Sequence, residues 1–187
     1  MFLIKTLTDL YLLTFLLRII LQATRADFYN PISQFIVAVT NPLVVPARRL
    51  LPSVRQIDLP TLAVLVVLQL IVTYVLVLLV GLNVRADQLI VLAAFRLVQL
   101  VLWTYTICIF VYVILSWVAQ ASYSPIAMLL GQIVAPVLRP FRRIVPLVGG
   151  FDLSPLFALI LIQAASLLLA ASIAPSVLSP VLASLVR

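Results

Sequence analysis

Two arginine-rich motifs are the part of this chain whose residue types and spacing could do chemistry. The segment PARRLLP at 46–52 returns as PFRRIVP at 140–146, so that Arg48 and Arg49 correspond to Arg142 and Arg143. A guanidinium is a planar fork of donors that suits phosphate and carboxylate oxygens. Flanking prolines keep such a pair from continuing along a helix into hydrocarbon. The motifs predict a headgroup anchor, or a docking patch for an acidic partner or a specific anionic lipid.

An aspartate follows each motif and stands at the start of the next apolar run. Asp58 is followed by Leu59 and Pro60, and Asp152 by Leu153, Ser154 and Pro155. A carboxylate at this point predicts a helix N-cap, because its oxygens can accept from free backbone amides. The alternative is an ion pair between each aspartate and the nearby double arginine.

Both motifs belong to a tandem duplication. Residues 29–69 recur without a gap at 123–163, always at an offset of 94 residues, and Tyr29-x-Pro31 returns as Tyr123-x-Pro125. One register kept over forty positions is the mark of a repeat. The chain therefore divides into a first repeat, residues 1–88, and a second repeat, residues 89–187.

The composition is that of an integral membrane protein. Mean hydropathy is +1.31, and 65% of the residues are hydrophobic while 9% are charged; soluble domains have about 25% charged residues. The 12 Lys and Arg residues outnumber 5 acidic ones, a balance that can indicate nucleic-acid binding. Here the arginines cluster in links between apolar runs, which favours a membrane face and predicts no nucleic-acid partner.

Four apolar runs are long enough to cross a bilayer, which takes about 20 residues each. They lie at about 3–23, 61–80, 89–118 and 155–174. The sequence thus predicts an all-α membrane protein with four transmembrane helices in two parallel tandem repeats. The connector of each repeat holds a short apolar segment, at 32–39 and 126–134. Segments of this length cannot span a bilayer, so each is predicted to be a short interfacial or re-entrant helix.

The distribution of arginine predicts the orientation. The two connectors, residues 24–58 and 119–154, hold Arg25, Arg48, Arg49, Arg55, Arg139, Arg142 and Arg143. The other side holds Lys5, Arg85 and Arg187, with Arg96 close to it. Positive residues favour the cytoplasmic side, so both connectors are expected in the cytoplasm and both termini in the periplasm. The repeats would then be related by an axis along the membrane normal.

Two glutamines and two arginines inside or near the predicted spans are candidates for polar packing within the membrane. Gln69 and Gln163 are equivalent, and we expect their amides to bond each other across the interface between the repeats; lining a polar pathway is the alternative. Arg18 and Arg96 lie within about two turns of a span end, so we expect both to extend toward the membrane surface. An intramembrane arginine is otherwise a functional candidate.

The residues needed for familiar catalytic sites are missing from the sequence. The chain has no His and one Cys, and its five acidic residues are all Asp. It therefore lacks the ligands of a usual zinc or haem site and the parts of a Ser-His-Asp triad. We expect no catalytic residues, no metal, no cofactor and no enzyme activity.

The chain resembles the bacterial YggT family in several motifs. These are DFYNPISQ at 27–34, PARRLLP at 46–52, Ser116-Trp117, and LRPFRR at 138–143, and the likeness covers essentially the whole chain with two copies of the family domain. The first repeat departs from the Leu-Arg-Pro pattern, because Val45 stands where the second has Arg139. The resemblance implies a Gram-negative inner-membrane protein. It links plastid and cyanobacterial relatives to cytochrome haem attachment and nucleoid organisation, and bacterial ones to osmotic stress tolerance and envelope organisation.

These observations favour a non-enzymatic inner-membrane scaffold or assembly factor. It would present the paired arginines and their aspartates to anionic lipid headgroups and to partner proteins, including further copies of itself. A small channel or ion-transport accessory subunit is the alternative function. Four spans enclose little space, so a pore would need an oligomer or a partner.

Overall fold

The computed structural model describes residues 2–51, 58–81, 84–117, 124–145 and 152–173. All regular structure in these ranges is helical. The helices are α1 Phe2–Ala23, α2 Pro31–Leu50, α3 Leu59–Leu79, α4 Ala86–Trp117, α5 Pro125–Ile144 and α6 Ser154–Ile173. The last proline of each arginine motif and the tail from residue 174 onward lie outside the described residues.

The connector helices α2 and α5 are longer than the sequence predicted. Each has 20 residues, or about 30 Å of helix, so the expectation of segments confined to 32–39 and 126–134 was wrong. Both begin at a proline in the first helical position, after a side-chain cap. The Asn30 side chain accepts from the Ile32 amide at 3.0 Å, and the Ser124 hydroxyl accepts from the Ile126 amide at 3.3 Å.

The prolines inside α2 and α5 do not end these helices, because of where they lie. Pro42 and Pro46 are four residues apart and both exposed, as are Pro136 and Pro140. Each proline removes one hydrogen bond to the carbonyl four residues earlier. Two prolines at this spacing share one face of the helix, so the freed carbonyls lie on the exposed side, where they can be solvated. The arginine pair therefore sits in the last helical turn.

The two repeats show the same internal packing. In the first, α1 packs against α2 and α3, and these pack against each other. In the second, α4 packs against α5 and α6 in the same way. The repeats meet mainly where α3 packs against α4, with a smaller contact between α1 and α4. The core contains fully buried apolar residues from both repeats: Leu12, Phe15, Leu65, Ile109, Val134 and Leu138.

Among the described residues, three helices are long and apolar enough to cross a membrane: α3, α4 and α6. The prediction of membrane helices is therefore confirmed for three of the four expected spans. The remaining one, α1, has 22 residues and carries Lys5, Asp9 and Arg18. The helix α3 ends at Leu79, close to the predicted end of the span at residue 80. Gly81 follows it with a φ of 73°, which suits a residue without a side chain.

Candidate functional site

The two arginine motifs make the same ion pair in the two repeats. Arg48 NH2 donates to Asp58 Oδ2 at 3.0 Å. Arg142 Nε donates to Asp152 Oδ2 at 2.9 Å. Each pair joins the last turn of a connector helix to a residue one or two positions before the next apolar helix. Of the two interpretations offered by the sequence, the ion pair with the double arginine is the contact that both repeats share.

Asp58 is a buried hub for three side chains in the first repeat. Its Oδ2 also accepts from the Thr61 hydroxyl at 2.7 Å and lies 3.7 Å from Arg18 Nε. It occupies the cap position of α3, yet its side chain accepts no backbone amide there, so the capping interpretation was wrong for this residue. Its other oxygen, Oδ1, is buried without a partner in the described part of the chain.

Arg18 lies inside the protein rather than extending to the surface. It is 5% exposed, and its NH1 donates to the Thr40 hydroxyl at 2.6 Å and to Asn41 Oδ1 at 3.0 Å. The expectation that Arg18 extends toward the membrane surface was wrong, because α2 supplies polar partners next to it. Together with Asp58, these contacts tie α1, α2 and α3 to one another.

The second ion pair is more open and has different supports. The Arg142 and Asp152 side chains are 41% and 32% exposed. Arg142 NH2 donates to the Tyr112 hydroxyl on α4 at 3.3 Å. Asp152 Oδ1 accepts from the Ser154 amide at 2.9 Å, which agrees with the capping interpretation, so here the carboxylate serves both roles.

Both aspartates are held in the ionised form. Burial raises the pKa of Asp58, but hydrogen bonds from Thr61 and Arg48 and the charges of Arg48 and Arg18 lower it more. For Asp152, burial also raises the pKa, while hydrogen bonds from Ser154 and Arg142 and the charge of Arg142 lower it more. The net pKa of each carboxyl lies below its ordinary value near 3.8. The pairs are therefore charged at neutral pH.

The other motif arginines are exposed, and no described acidic side chain neutralises their charge. Arg49, Arg139 and Arg143 lie on the surface and have no ion-pair partner among the residues that the structure describes. Arg139 and Arg143 are four residues apart, so they share one face of α5, where two like charges disfavour each other. Val45 occupies the position of Arg139 in the first repeat. The second repeat therefore has the larger free positive charge, which an anion would stabilise.

An apolar groove opens beside the second motif, between the end of α5 and the first half of α6. It has a volume of about 570 Å³. Its lining is apolar: Phe141, Ile144, Val145, Phe157, Ile160, Leu161 and Ala164. Arg142 and Arg143 are the two residues between Phe141 and Ile144, so the groove and the guanidinium pair belong to one helical turn.

Arg96 joins the two repeats. It is 7% exposed, and its NH2 donates to Asp9 Oδ1 on α1 at 2.8 Å. The prediction that Arg96 extends to the outer surface was wrong. Like Arg18, it finds its partner on a neighbouring helix, and the pair links α4 of the second repeat to α1 of the first.

The two glutamines do not bond each other. Gln69 is buried and donates to the Thr73 hydroxyl of its own helix at 3.4 Å, whereas Gln163 is exposed on α6. The predicted amide pair between the repeats was therefore wrong. The polar link from α6 to α4 is made instead by the Ser166 hydroxyl, which donates to Gln99 Oε1 at 2.8 Å.

Sequence reasoning missed several partners in these clusters: Thr40, Asn41, Thr61, Tyr112 and Asp9. Their polarity inside apolar or amphipathic segments was visible. A search for the position 94 residues after Arg18 would have found Tyr112. Nothing in the sequence paired Asp9 with Arg96, which lie 87 residues apart.

The model of the CCB3/YggT family matches the chain twice, at residues 1–79 and 91–173. The chain belongs to the CCB3/YggT family. The resemblance in the sequence motifs is thereby confirmed, and the two matches fall on α1 to α3 and on α4 to α6. Both ion pairs and the exposed motif arginines, Arg49, Arg139 and Arg143, lie within the matched segments.

Relatives in this family cover nearly the whole chain. An uncharacterized protein of Vibrio alginolyticus is 43% identical over 93% of this chain and 95% of its own length. One of Pseudomonas aeruginosa is 43% identical over 87% of this chain and 83% of its own. The uncharacterized protein YggT of Escherichia coli K12 is 40% identical over 86% and 84%. No solved structure matches the chain.

Proposed function

We propose that this YggT-family protein is a non-enzymatic inner-membrane scaffold that binds the phosphates of anionic phospholipids through its paired arginine motifs. The proposal rests on a difference between the two arginines of each motif. The first arginine is held by an aspartate, at 3.0 Å in one repeat and 2.9 Å in the other. The second arginine is exposed and has no ion-pair partner in the described ranges.

The ion pairs give the free arginines a fixed position. Arg48 and Arg142 tie the end of each connector helix to the start of an apolar helix, so Arg49 and Arg143 are presented where that helix meets the membrane surface. Basic residues in the last helical turn are also favoured by the helix dipole. An arginine at this depth gains about 1 kcal/mol from an anionic leaflet.

The groove beside the second motif supports a lipid in preference to an acidic peptide. Its lining is entirely apolar and can accept part of an acyl chain, while the guanidinium groups of the same turn suit a phosphate. The second repeat also adds Arg139. We therefore assign the principal lipid site to the second repeat and a weaker one to the first.

The proposed topology places this surface in the cytoplasm. Four spans, α1, α3, α4 and α6, cross the inner membrane, with α2 and α5 at the cytoplasmic interface and both termini in the periplasm. The excess of arginine in the connectors supports this orientation. The scaffold would organise lipid and protein near the membrane, a role that fits envelope organisation or tolerance of osmotic stress.

Native mass spectrometry of the detergent-purified protein tests the lipid site. Phosphatidylglycerol would be titrated against phosphatidylethanolamine, and bound lipid counted for the wild type and for Arg139→Gln/Arg143→Gln. Two arginines at about 1 kcal/mol each predict about 30-fold weaker binding of phosphatidylglycerol in the variant.

Arg85→Gln is the matched control. Arg85 is exposed, pairs with Asp87 at 3.2 Å, and lies at the opposite end of α4 from the motifs. The Arg85→Gln protein should bind phosphatidylglycerol as the wild type does. The same loss per arginine removed in both variants would show that net charge alone matters, and no loss of binding in either variant would refute the proposed lipid site.

A further inference from the structure

The helices α3 and α6 hold the same place in the two repeats but have different neighbours. Besides its own repeat, α3 packs against α4, the first helix of the next repeat. Its counterpart α6 packs against α4 and α5 and has no comparable packing against α1 in the described part of the chain. The contact that joins the repeats is therefore made once. The face of α6 that corresponds to the contact face of α3, and the face of α1 that corresponds to the contact face of α4, are each left without such a contact. We call these two faces the unmatched halves of the contact.

Residue exposure locates the unmatched half on α6. Thr73 of α3 is fully buried, whereas Leu167, 94 residues later, is 70% exposed. Gln69 is 3% exposed, whereas Gln163 lies on the exposed surface of α6. Both helices have matching neighbours within their own repeats. The difference in exposure therefore marks the face on which α3 contacts the following repeat. The same face of α6 has no such neighbour among the described residues.

The unmatched half on α1 is found in the same way. On α4, Thr104 and Arg96 are buried. Their counterparts on α1, Leu10 and Phe2, are exposed, Phe2 at 78%. The helix α4 packs against its own repeat and also against α3 of the first repeat, whereas α1 packs mainly within its own repeat.

We infer that α1 of a second copy of this chain packs on the exposed face of α6, as α4 packs on α3 within one chain. We call the face of α6 that contains Gln163, Leu167 and Ala170 the open face. The contact joins two different surfaces, so it is heterologous and continues from copy to copy until the oligomer closes. The internal duplication supplies both halves of the contact.

The amide of Gln163 favours this occupant over lipid alone. Gln69 bonds Thr73 within its own helix, but Leu167 replaces that threonine, and Gln163 has no hydrogen bond to another described residue. A polar amide without a partner in hydrocarbon costs free energy, and helix association in membranes often buries such groups. A helix seated on the open face would remove this amide from lipid.

Disulfide cross-linking between two differently tagged copies tests the inference. Both copies would carry Cys108→Ala, which removes the one cysteine of the chain. One copy would also carry Leu7→Cys and the other Leu167→Cys. Leu7 is about 8 Å from the start of α1 and Leu167 about 9 Å from the end of α6. The proposed topology therefore places them at similar depth. Copper-catalysed oxidation in native membranes should join the two tags efficiently.

The control pairs Leu7→Cys with Val75→Cys, an exposed position on α3 about 6 Å from the end of that helix. It should cross-link at less than a tenth of the yield. Equal yields for the two pairs would overturn the inference. A predominant homodimer of the Leu167→Cys copy would overturn it as well, because that product requires α6 to face α6. No arginine takes part, so either outcome leaves the proposed lipid site untouched.

Discussion

Arg18 and Tyr112 stand 94 residues apart, at equivalent positions of α1 and α4, and each contacts the ion pair of its own repeat. Arg18 Nε lies 3.7 Å from Asp58 Oδ2, while the Tyr112 hydroxyl accepts from Arg142 at 3.3 Å. The arginine–aspartate pair is thus present in both repeats, but the side chain that contacts it differs. In the first repeat it is the buried guanidinium of Arg18, and in the second it is the half-exposed phenol of Tyr112.

This exchange predicts unequal costs when the supports are removed. Arg18→Ala leaves the buried carboxylate of Asp58 with one cation in place of two and should lower the free energy of unfolding by about 3 kcal/mol. Tyr112→Phe removes one hydrogen bond at a site open to solvent and should cost about 1 kcal/mol or less. Unfolding in a detergent–SDS mixture measures both. Similar losses for the two variants would contradict the assigned asymmetry.

The two paired aspartates should make stability depend on pH in acid. Folding lowers the pKa of Asp58 and of Asp152 below 3.8, so the folded protein binds these protons more weakly than the unfolded chain. The stabilisation is therefore complete above about pH 5 and is lost as the pH falls through the lowered pKa values. Thermal unfolding midpoints between pH 7 and pH 3 would follow it.

Asp58→Asn tests whether Asp58 causes the loss of stability in acid. It should unfold more easily than the wild type at pH 7, because Arg18 and Arg48 lose their counter-charge. Its midpoint should then change less between pH 5 and pH 3. An unchanged acid profile would mean that other carboxyl groups control it.

The sequence was sufficient for the helical class and for the family, whose model matches the chain twice. It offered the pairing of Asp58 with the double arginine only as the alternative to a helix cap. These features depend on periodicity, on a fixed offset and on neighbours close in the chain. It was insufficient for the length of α2, because the effect of Pro42 and Pro46 depends on which face is exposed. It also misplaced Arg18, whose partner Thr40 is 22 residues away and is brought close only by helix packing.

The same reasoning explains the error on the glutamines. Equivalent positions in a duplicated sequence suggest equivalent surroundings, and Gln69 with Gln163 suggested a symmetric pair. Surroundings also depend on what packs outside the repeat, and there α3 and α6 differ. A duplication therefore predicts contacts within a repeat better than contacts between repeats.

The orientation can be tested with exposed positions on the two sides. In a Cys108→Ala background, Tyr29→Cys reports on the first connector and Arg85→Cys on the link between the repeats; both side chains are highly exposed. An impermeant thiol reagent added to intact spheroplasts should label Arg85→Cys and spare Tyr29→Cys until the membrane is permeabilised. The reverse pattern would invert the proposed topology.

A single chain should conduct no ions. The two buried arginines lie in separate ion-paired groups, Arg18 with Asp58 and Arg96 with Asp9. Arg18 is about 13 Å along α1 from Asp9. Between them lie fully buried apolar side chains, among them Phe15 of α1. Fluorescence flux assays in liposomes should show background leakage. Conductance that responds to Arg96→Ala would support the channel alternative.

The last prediction concerns the geometry of the double arginine. If the second motif binds phosphate through forked hydrogen bonds, Arg142→Lys/Arg143→Lys should impair function although the charge is kept, because lysine lacks the planar fork. An anchor that sets topology needs only positive charge, and the lysine variant would then behave as the wild type. Complementation of a deletion strain under osmotic stress compares the two, with membrane levels measured by immunoblot.

The first motif provides the matched control for that experiment. Arg48→Lys/Arg49→Lys makes the same change where Val45 replaces Arg139, so a lipid site in the second repeat predicts a smaller defect. Because Arg142 also holds Asp152, the single variant Arg143→Lys separates lipid binding from the ion pair. Full activity of the Arg142→Lys/Arg143→Lys protein would reduce both motifs to anchors. A defect in Arg143→Lys alone would assign the effect to the free guanidinium.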